Sequence, residues 1–200
     1  MPLPTKEQIA DRFAVGITLD HLWSETMGLP IDDKERVLAS LVDVMRETST
    51  PYAVIGGVAV QLYTEEPRTT ADLDIAVRHG GEIPRGELLR RGFAFSTSHR
   101  WSENWRGPAP HGATTRSRVV VQFSFFPQEV GRSRLVSVGS LEFPLVALPD
   151  LVLMKLTAAS DTARRLSKRL QDKSDVVRLV EEHPELDTEE IRFRLDHLKL

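Results

Sequence analysis

Apolar residues recur at helical spacing early in the chain and give way to short strand-like runs after Pro51. Val37, Leu38, Leu41, Val42 and Met45 stand three or four positions apart, which predicts a helix with one face turned to a core. The first fifty residues read as helices. Thr5 followed by Gln8, and Asp32 followed by Glu35, fit capping boxes that start two of them. At Thr50-Pro51 the reading changes. "YAVIGG" is a short apolar run ending in two glycines, as a buried strand and tight turn require, and "VAVQLYTEE" then reads as a helix. "ADLDIAV" is a strand with Leu73, Ile75 and Val77 on one face and Asp72, Asp74 and Ala76 on the other.

Further along, "GELLRRGF" predicts a short helix closed by Gly92, and "RVVVQFSFF" is the strongest strand signal of the chain. "HRWSENWRGPAPHGATTRSR" reads as a long loop. "RLVSV", Gly139-Ser140 and "LEFPLV" predict a hairpin whose second strand, carrying Pro144, belongs at a sheet edge. From Pro149, which suits a first helical turn, the rest is helical. "DLVLMKLTAAS" and "TARRLSKRLQDKSDVVRLVEEH" make two helices, and Asp187 with Glu190 caps a third. A sheet segment between helical segments gives an α+β or α/β class, with the strand order unreadable. The expected organisation is residues 1–50 as N-terminal helices, 51–147 as the core and 148–200 as a C-terminal helical segment, packed as one compact unit.

The composition is that of a soluble globular protein, and 200 residues suffice for one sizeable core. A net charge of −3 does not advertise nucleic-acid binding by the whole chain, so any such claim rests on local patches. The absence of cysteine excludes disulfides and thiolate zinc sites. "MPLPTKEQIADRF" lacks the apolar core of a signal peptide and no apolar run has membrane-spanning length, so a cytoplasmic protein is expected. The six histidines are scattered, with no metal-ligand spacing.

The chemistry concentrates in "VIGGVAVQLYTEEPRTTADLDIAV". Gly56 and Gly57 stand between a predicted strand and a predicted helix, where bare backbone and helix-start amides can cradle a phosphate. Asp72 and Asp74 share one strand face with Cα atoms roughly 6–7 Å apart. Carboxylates so placed can reach one metal ion or a close pair. Mg²⁺ takes few protein carboxylates and completes its shell with phosphate oxygens and water. The glycines therefore hold phosphate, the carboxylates hold metal, and the metal holds phosphate.

This stretch resembles the signature of the DNA-polymerase-beta-like nucleotidyltransferases: strand, Gly-Gly, helix, then Asp-x-Asp on the next strand. Arg68-Thr69-Thr70 before the carboxylates resembles the "R-x-T-x-D-x-D" form of the minimal and toxin-like branches. The signature covers residues 52–77, and a looser resemblance extends to about residue 180. It implies a mixed sheet flanked by helices, transfer of a nucleotide from an NTP, Mg²⁺ (or Mn²⁺) on Asp72 and Asp74, and substrate contacts from Gly56, Gly57, Arg68 and Thr70. Active members usually carry a third carboxylate on a later central strand. In "RVVVQFSFF" Gln122 stands about where that acid is expected. Its amide can ligate a metal or bond a hydroxyl, but it cannot take a proton at neutral pH.

"LPDLVLMKLTAASDTARRLSKRLQDKSDVVRL" resembles the C-terminal motif of AbiEii-type toxin nucleotidyltransferases, with "K-L-x-A" on one helix and "K/R-D-x-x-D" on a basic helix. The matching positions are Lys155 and Asp172, with Asp175 as the second acid; Gln171 stands where the family prefers a basic residue. The resemblance places Lys155 and Asp172 in the active site. Lys155 can neutralise triphosphate charge, and Asp172 can orient it or supply a base. Asp175 reads more simply as a helix salt-bridge partner, and Lys155 alternatively as a snorkelling residue on a buried helix.

Arg164, Arg165, Lys168 and Arg169 share one helical face that can hold an RNA backbone, or simply face solvent. Trp101 and Trp105, with Arg100, Arg106, Arg116 and Arg118, can stack on a base and hold phosphates. The leading expectation is a metal-dependent nucleotidyltransferase, a toxin with tRNA as the acceptor the resemblance implies and an antitoxin protein as a partner it allows. Two alternatives stand beside it. One is an enzyme that modifies an antibiotic or other small molecule, for which acids at the cleft rim would speak. The other is a nucleotide- or partner-binding module that has lost catalysis at Gln122.

Overall fold

The computed structural model describes residues 4–28, 34–67, 69–70, 72–109 and 117–197. Helix α1 (Lys6–Thr26) starts at the expected capping box: Thr5 Oγ1 accepts from the Gln8 amide at 3.3 Å, and the Gln8 side chain accepts from the Thr5 N–H at 2.9 Å. The second box, through Asp32, lies outside the described residues. Helix α2 (Lys34–Glu47) buries Val37, Leu38, Leu41, Val42 and Met45, the stripe its spacing predicts.

Strand β1 (Ala53–Ile55) runs into helix α3 (Gly56–Tyr63), and strand β2 (Asp72–Val77) follows. Helix α3 begins at the glycine pair itself and stops at Tyr63, short of the expected "TEE". Its last carbonyls explain the stop. The Arg12 guanidinium donates to the carbonyl of Tyr63 at 2.8 Å, and His183 Nε2 lies 2.9 Å from the same oxygen. Helix α4 (Arg85–Arg90) closes at Gly92, whose φ of +83° suits glycine.

Strand β4 (Ser102–Arg106) falls where the sequence reads as loop, and it forms a hairpin with β3 (Ala94–His99), a segment given no element in the sequence. The pattern was concealed for a physical reason. Strand β3 lies at the sheet edge and is nearly all exposed, so it carries no apolar alternation. Strand β4 buries a charge, Glu103, beside Trp105. Arg85 donates to Glu103 from Nε at 3.2 Å, and Trp105 Nε1 donates to it at 3.2 Å. Trp105 is thus a core residue, 1% exposed, and unable to stack on a ligand.

Strand β5 (Val120–Phe125), a short helix α5 (Pro127–Gly131) and the hairpin of β6 (Arg134–Val138) and β7 (Leu141–Leu145) come next. The sheet has the order β3-β4-β5-β2-β1-β7-β6. It is mixed, with β2–β5 and β1–β7 parallel and the other pairs antiparallel. Strand β7 is therefore interior, contrary to the edge position expected from Pro144. In a hairpin closed at Val138–Leu141, ladder bonds alternate, and Leu135–Pro144 falls on a non-bonded pair. On its other side β7 meets β1 only around Val54–Leu145, where the Val146 N–H donates to the Val54 carbonyl at 3.0 Å. The missing proline N–H costs neither ladder a bond.

Helices α6 (Leu148–Ser160), α7 (Leu166–Glu182) and α8 (Thr188–His197) complete the chain. The Glu190 N–H donates to Asp187 at 2.9 Å, the expected cap of α8. Asp150, buried in the first turn of α6, binds Arg132 through two bonds of 2.8 and 2.9 Å and also Arg194, tying α8 to the body. Helices α2 and α4 pack on the sheet face that carries Trp105 and Phe123, and α3, α6 and α7 stand on the face that carries Asp74. No described helix is long and apolar enough to cross a membrane.

Candidate functional site

The site forms where β1 turns into α3. Gly56 has φ +66°, a left-handed conformation that side chains disfavour. A Cβ there would lie 1.9 Å from Asp74 Oδ2. Asp74 is the antiparallel partner of Ile55, so the carboxylate rests directly on the glycine backbone. Two residues 18 positions apart in sequence, Gly56 and Asp74, thereby become one surface. Thr70 leads into β2, with its Oγ1 3.4 Å from the Asp72 carbonyl. Its own carbonyl accepts from buried Lys34 Nζ at 2.7 Å, and Lys34 also pairs with Asp20. Lys34 was not singled out in the sequence. It fixes the approach to the carboxylates from below.

Register places the remaining strand residue. In the parallel pair of β2 and β5, Asp72 lies opposite Val120 and Asp74 opposite Gln122. Gln122 therefore stands beside Asp74 on the carboxylate face, where a third acid was expected by resemblance.

A cleft of about 340 Å³ opens over these groups, lined by Gly57, Thr70, Asp72, Asp74 and Gln122 and, from the C-terminal helices, by Lys155, Arg164, Arg165, Lys168, Gln171 and Asp172. That volume lies within the range of small-molecule sites. Of the residues expected at the site, Arg68 lies outside the described residues, as does Arg116 of the expected loop.

Lys155 on α6 is buried and donates to Asp172 Oδ1 at 2.8 Å; Asp175 Oδ2 also lies 2.8 Å from Nζ. Arg164 binds the other oxygen of Asp172 at 3.1 Å. Both Asp172 oxygens are engaged by cations, so its geometry suits orienting Lys155 better than collecting a proton. Asp175 is a salt-bridge partner, as its helical position suggested, but a buried one that reaches Lys155 on the neighbouring helix. It is 2% exposed, and the i, i+3 spacing of Asp172 and Asp175 sets both carboxylates against one ammonium. The ammonium uses one of its three donors on Asp172 and stands in ionic contact with Asp175, and it lines the cleft, where it can also meet a ligand.

The basic stretch is divided by the fold. Arg164 and Arg165 precede α7 instead of lying within it, and the helix starts at Leu166. Arg164, Arg165 and Lys168 face the cleft, whereas Arg169 donates from Nε to the Ala159 carbonyl at 2.9 Å and closes the end of α6. Trp101, 66% exposed, sits at the β3–β4 tip with the Arg100 guanidinium 4.8 Å from its ring centre and is not part of the cleft lining.

The donors suit a magnesium-like cation. Asp72 and Asp74 offer carboxylates on one face, Gln122 an amide in register with Asp74, and the glycine turn bare backbone against Asp74. Such an ion, when bound, would supply positive charge to phosphate oxygens.

The mixed sheet, the glycine turn and the strand carboxylates make this a nucleotidyltransferase-type α+β fold, and comparison with solved structures agrees. The chain is similar to an antigenic nucleotidyltransferase-like protein from Paracoccidioides brasiliensis (TM-score 0.56, 18% identity, 84% of this chain and 88% of that one). It is similar to JHP933 from Helicobacter pylori (TM-score 0.53, 16% identity), covering 76% of this chain but only 66% of that longer one. It is also similar to the lincosamide antibiotic adenylyltransferase LnuA, solved with lincomycin bound (TM-score 0.51, 12% identity, 74% of this chain and 97% of that one). No protein-family model and no curated protein matches the chain.

Proposed function

We propose that the protein is a metal-dependent nucleotidyltransferase that moves a nucleoside monophosphate from an NTP to an acceptor hydroxyl on RNA. One observation carries the reading: the glycine turn, the Asp72–Asp74 pair and four cations line the same cleft. The turn and the helix-start amides of α3 accept the triphosphate. Asp72 and Asp74, with Gln122 beside them, hold Mg²⁺ or Mn²⁺. Arg164, Arg165, Lys168 and Lys155 neutralise phosphate charge. In the transfer the acceptor oxygen bonds to the α-phosphorus, pyrophosphate leaves, and the hydroxyl proton passes to water in the open cleft.

Charge favours an anionic acceptor. Lys155 and Arg164 are paired with Asp172 and Asp175, while Arg165 and Lys168 line the cleft beside them and suit the phosphates of such an acceptor. A cationic antibiotic calls for the opposite balance. The AbiEii-like positions Lys155 and Asp172 support the role of a toxin acting on tRNA, with an antitoxin protein as its partner. The register of Gln122 with Asp74 favours a second reading, a fold that binds nucleotide without turning it over.

Incubation with each α-labelled NTP, Mg²⁺ and total cellular RNA decides between them. Label in RNA, lost in Asp72→Asn/Asp74→Asn, supports the transferase and names its donor. Nucleotide binding without label in RNA shifts the weight to a small acceptor or to the inactive module.

A further inference from the structure

The carboxylate face of the sheet does not end at the cleft. Register carries the row of Asp74 and Gln122 on to Asn104 of β4 and Thr97 of β3. The neighbouring row runs from Ala76 through Ser124 and Ser102 to His99. Every one of these side chains beyond β2 is half-buried or exposed. Asn104 Nδ2 donates to Thr97 Oγ1 at 3.0 Å, which fixes the amide plane and leaves its carbonyl oxygen for another donor.

This floor carries no carboxylate. The one acid on β3, β4 and β5 is Glu103, which points to the opposite face and is occupied by Arg85 and Trp105. Arg106, on the same face as Asn104, donates to the Arg118 carbonyl at 3.1 Å and adds positive charge at the margin. Three strand spacings put Thr97 roughly 14 Å from Asp74. The row thus leads from the carboxylates out to β3, the edge strand of the sheet.

Resting on the transferase reading above, we infer that the floor formed by Gln122, Asn104 and Thr97 is the acceptor subsite, and that it takes the single-stranded end of a polynucleotide. Neutral amides and hydroxyls match base edges and ribose hydroxyls, and the missing carboxylates spare the phosphates any repulsion. A polycationic small acceptor finds no counter-charge there.

The test is binding of a 5′-fluorescein-labelled single-stranded oligoribonucleotide of mixed sequence, read by anisotropy. Nucleoside triphosphate affinity is measured in parallel by calorimetry with Mg²⁺. Asn104→Asp and Thr97→Asp each place a carboxylate on the floor. Thr97 lies on the exposed edge strand, so the second variant tests the idea even if the first disturbs the fold. Both should weaken oligoribonucleotide binding about tenfold, a loss of one well-placed polar contact plus repulsion, with triphosphate affinity unchanged. Wild-type affinity in both variants would overturn the assignment. So would a wild-type protein that binds triphosphate but no oligoribonucleotide, or an aminoglycoside that binds more tightly than the oligonucleotide and gains from the added carboxylates. If the wild type binds no triphosphate, the transferase reading fails instead, and the oligoribonucleotide series still decides the floor.

Discussion

Gly56 and Asp74 touch in a way that only glycine permits: a Cβ on residue 56 would lie 1.9 Å from Asp74 Oδ2, in a backbone of φ +66°. Gly56→Ala must therefore displace the carboxylate, bend the turn, or both. The left-handed backbone and the overlap together should cost about 2–4 kcal/mol. A thermal melt reads the loss of stability. Transfer activity should fall more steeply than the melt accounts for, because the carboxylate proposed to hold the metal itself moves. A variant of wild-type activity and stability would show that the turn and Asp74 are not one unit.

The strand carboxylates separate chemistry from folding. Both are half-buried on the cleft side, and their strand is held by Leu73, Ile75 and Val77 on the other face. Asp72→Asn with Asp74→Asn should abolish transfer and leave the melting temperature nearly unchanged. Gln122→Glu should raise activity, since the new carboxylate would stand beside Asp74 in the parallel register. Steady-state rates with Mg²⁺ and Mn²⁺ check both. An unchanged rate in Gln122→Glu would mean that this position does not face the metal.

Lys155 is held between two buried carboxylates, each 2.8 Å from its ammonium. Lys155→Met would leave Asp172 and Asp175 facing each other, with Arg164 on one of them. Breaking a buried pair in this way typically costs about 3–5 kcal/mol. Asp175→Asn should keep part of the geometry, lower stability less, and raise KM for the triphosphate less than it lowers the melting temperature suggests. Denaturant unfolding of both variants, compared with triphosphate affinity, separates the structural share of the cluster from its share in binding.

Tyr63 supplies a pH dependence. Its hydroxyl donates to the Val146 carbonyl at 2.8 Å, and burial pushes the phenol up to about 12 against the opposing charge of Arg134. Burial raises Tyr52 as well, with Arg46 opposing. An unfolded phenol ionises near pH 10. The folded state keeps the proton longer, so this contribution is complete below pH 10 and is lost as pH rises from about 10 through 12. For Tyr63 the loss amounts to about 2–3 kcal/mol. Tyr63→Phe should cost about 1 kcal/mol at neutral pH through the lost bond and flatten part of the decline above pH 10. Unfolding curves across that interval test the sign.

The local parts were legible from short stretches of the chain. Strand alternation put Asp72 and Asp74 on one face, the glycine pair marked the turn into α3, and three- and four-residue spacing marked the face of α2. Each depends on backbone dihedrals over a few residues, which local side chains dictate. The sequence pattern missed the β3–β4 hairpin because an exposed edge strand needs no apolar face, and because the inward Glu103 is neutralised by Arg85 from another element. It misplaced β7 because proline is excluded only where the ladder needs its N–H. Which strands lie side by side was set by packing across the whole chain. Pairing β5 parallel to β2 set Gln122 beside Asp74 and extended that row to Asn104. Packing α7 on α6 turned Asp175 inward to Lys155 and aimed Arg164, Arg165 and Lys168 into the cleft while diverting Arg169. Such neighbours are chosen by burial of apolar faces contributed from the whole chain, and no short stretch of residues encodes that choice.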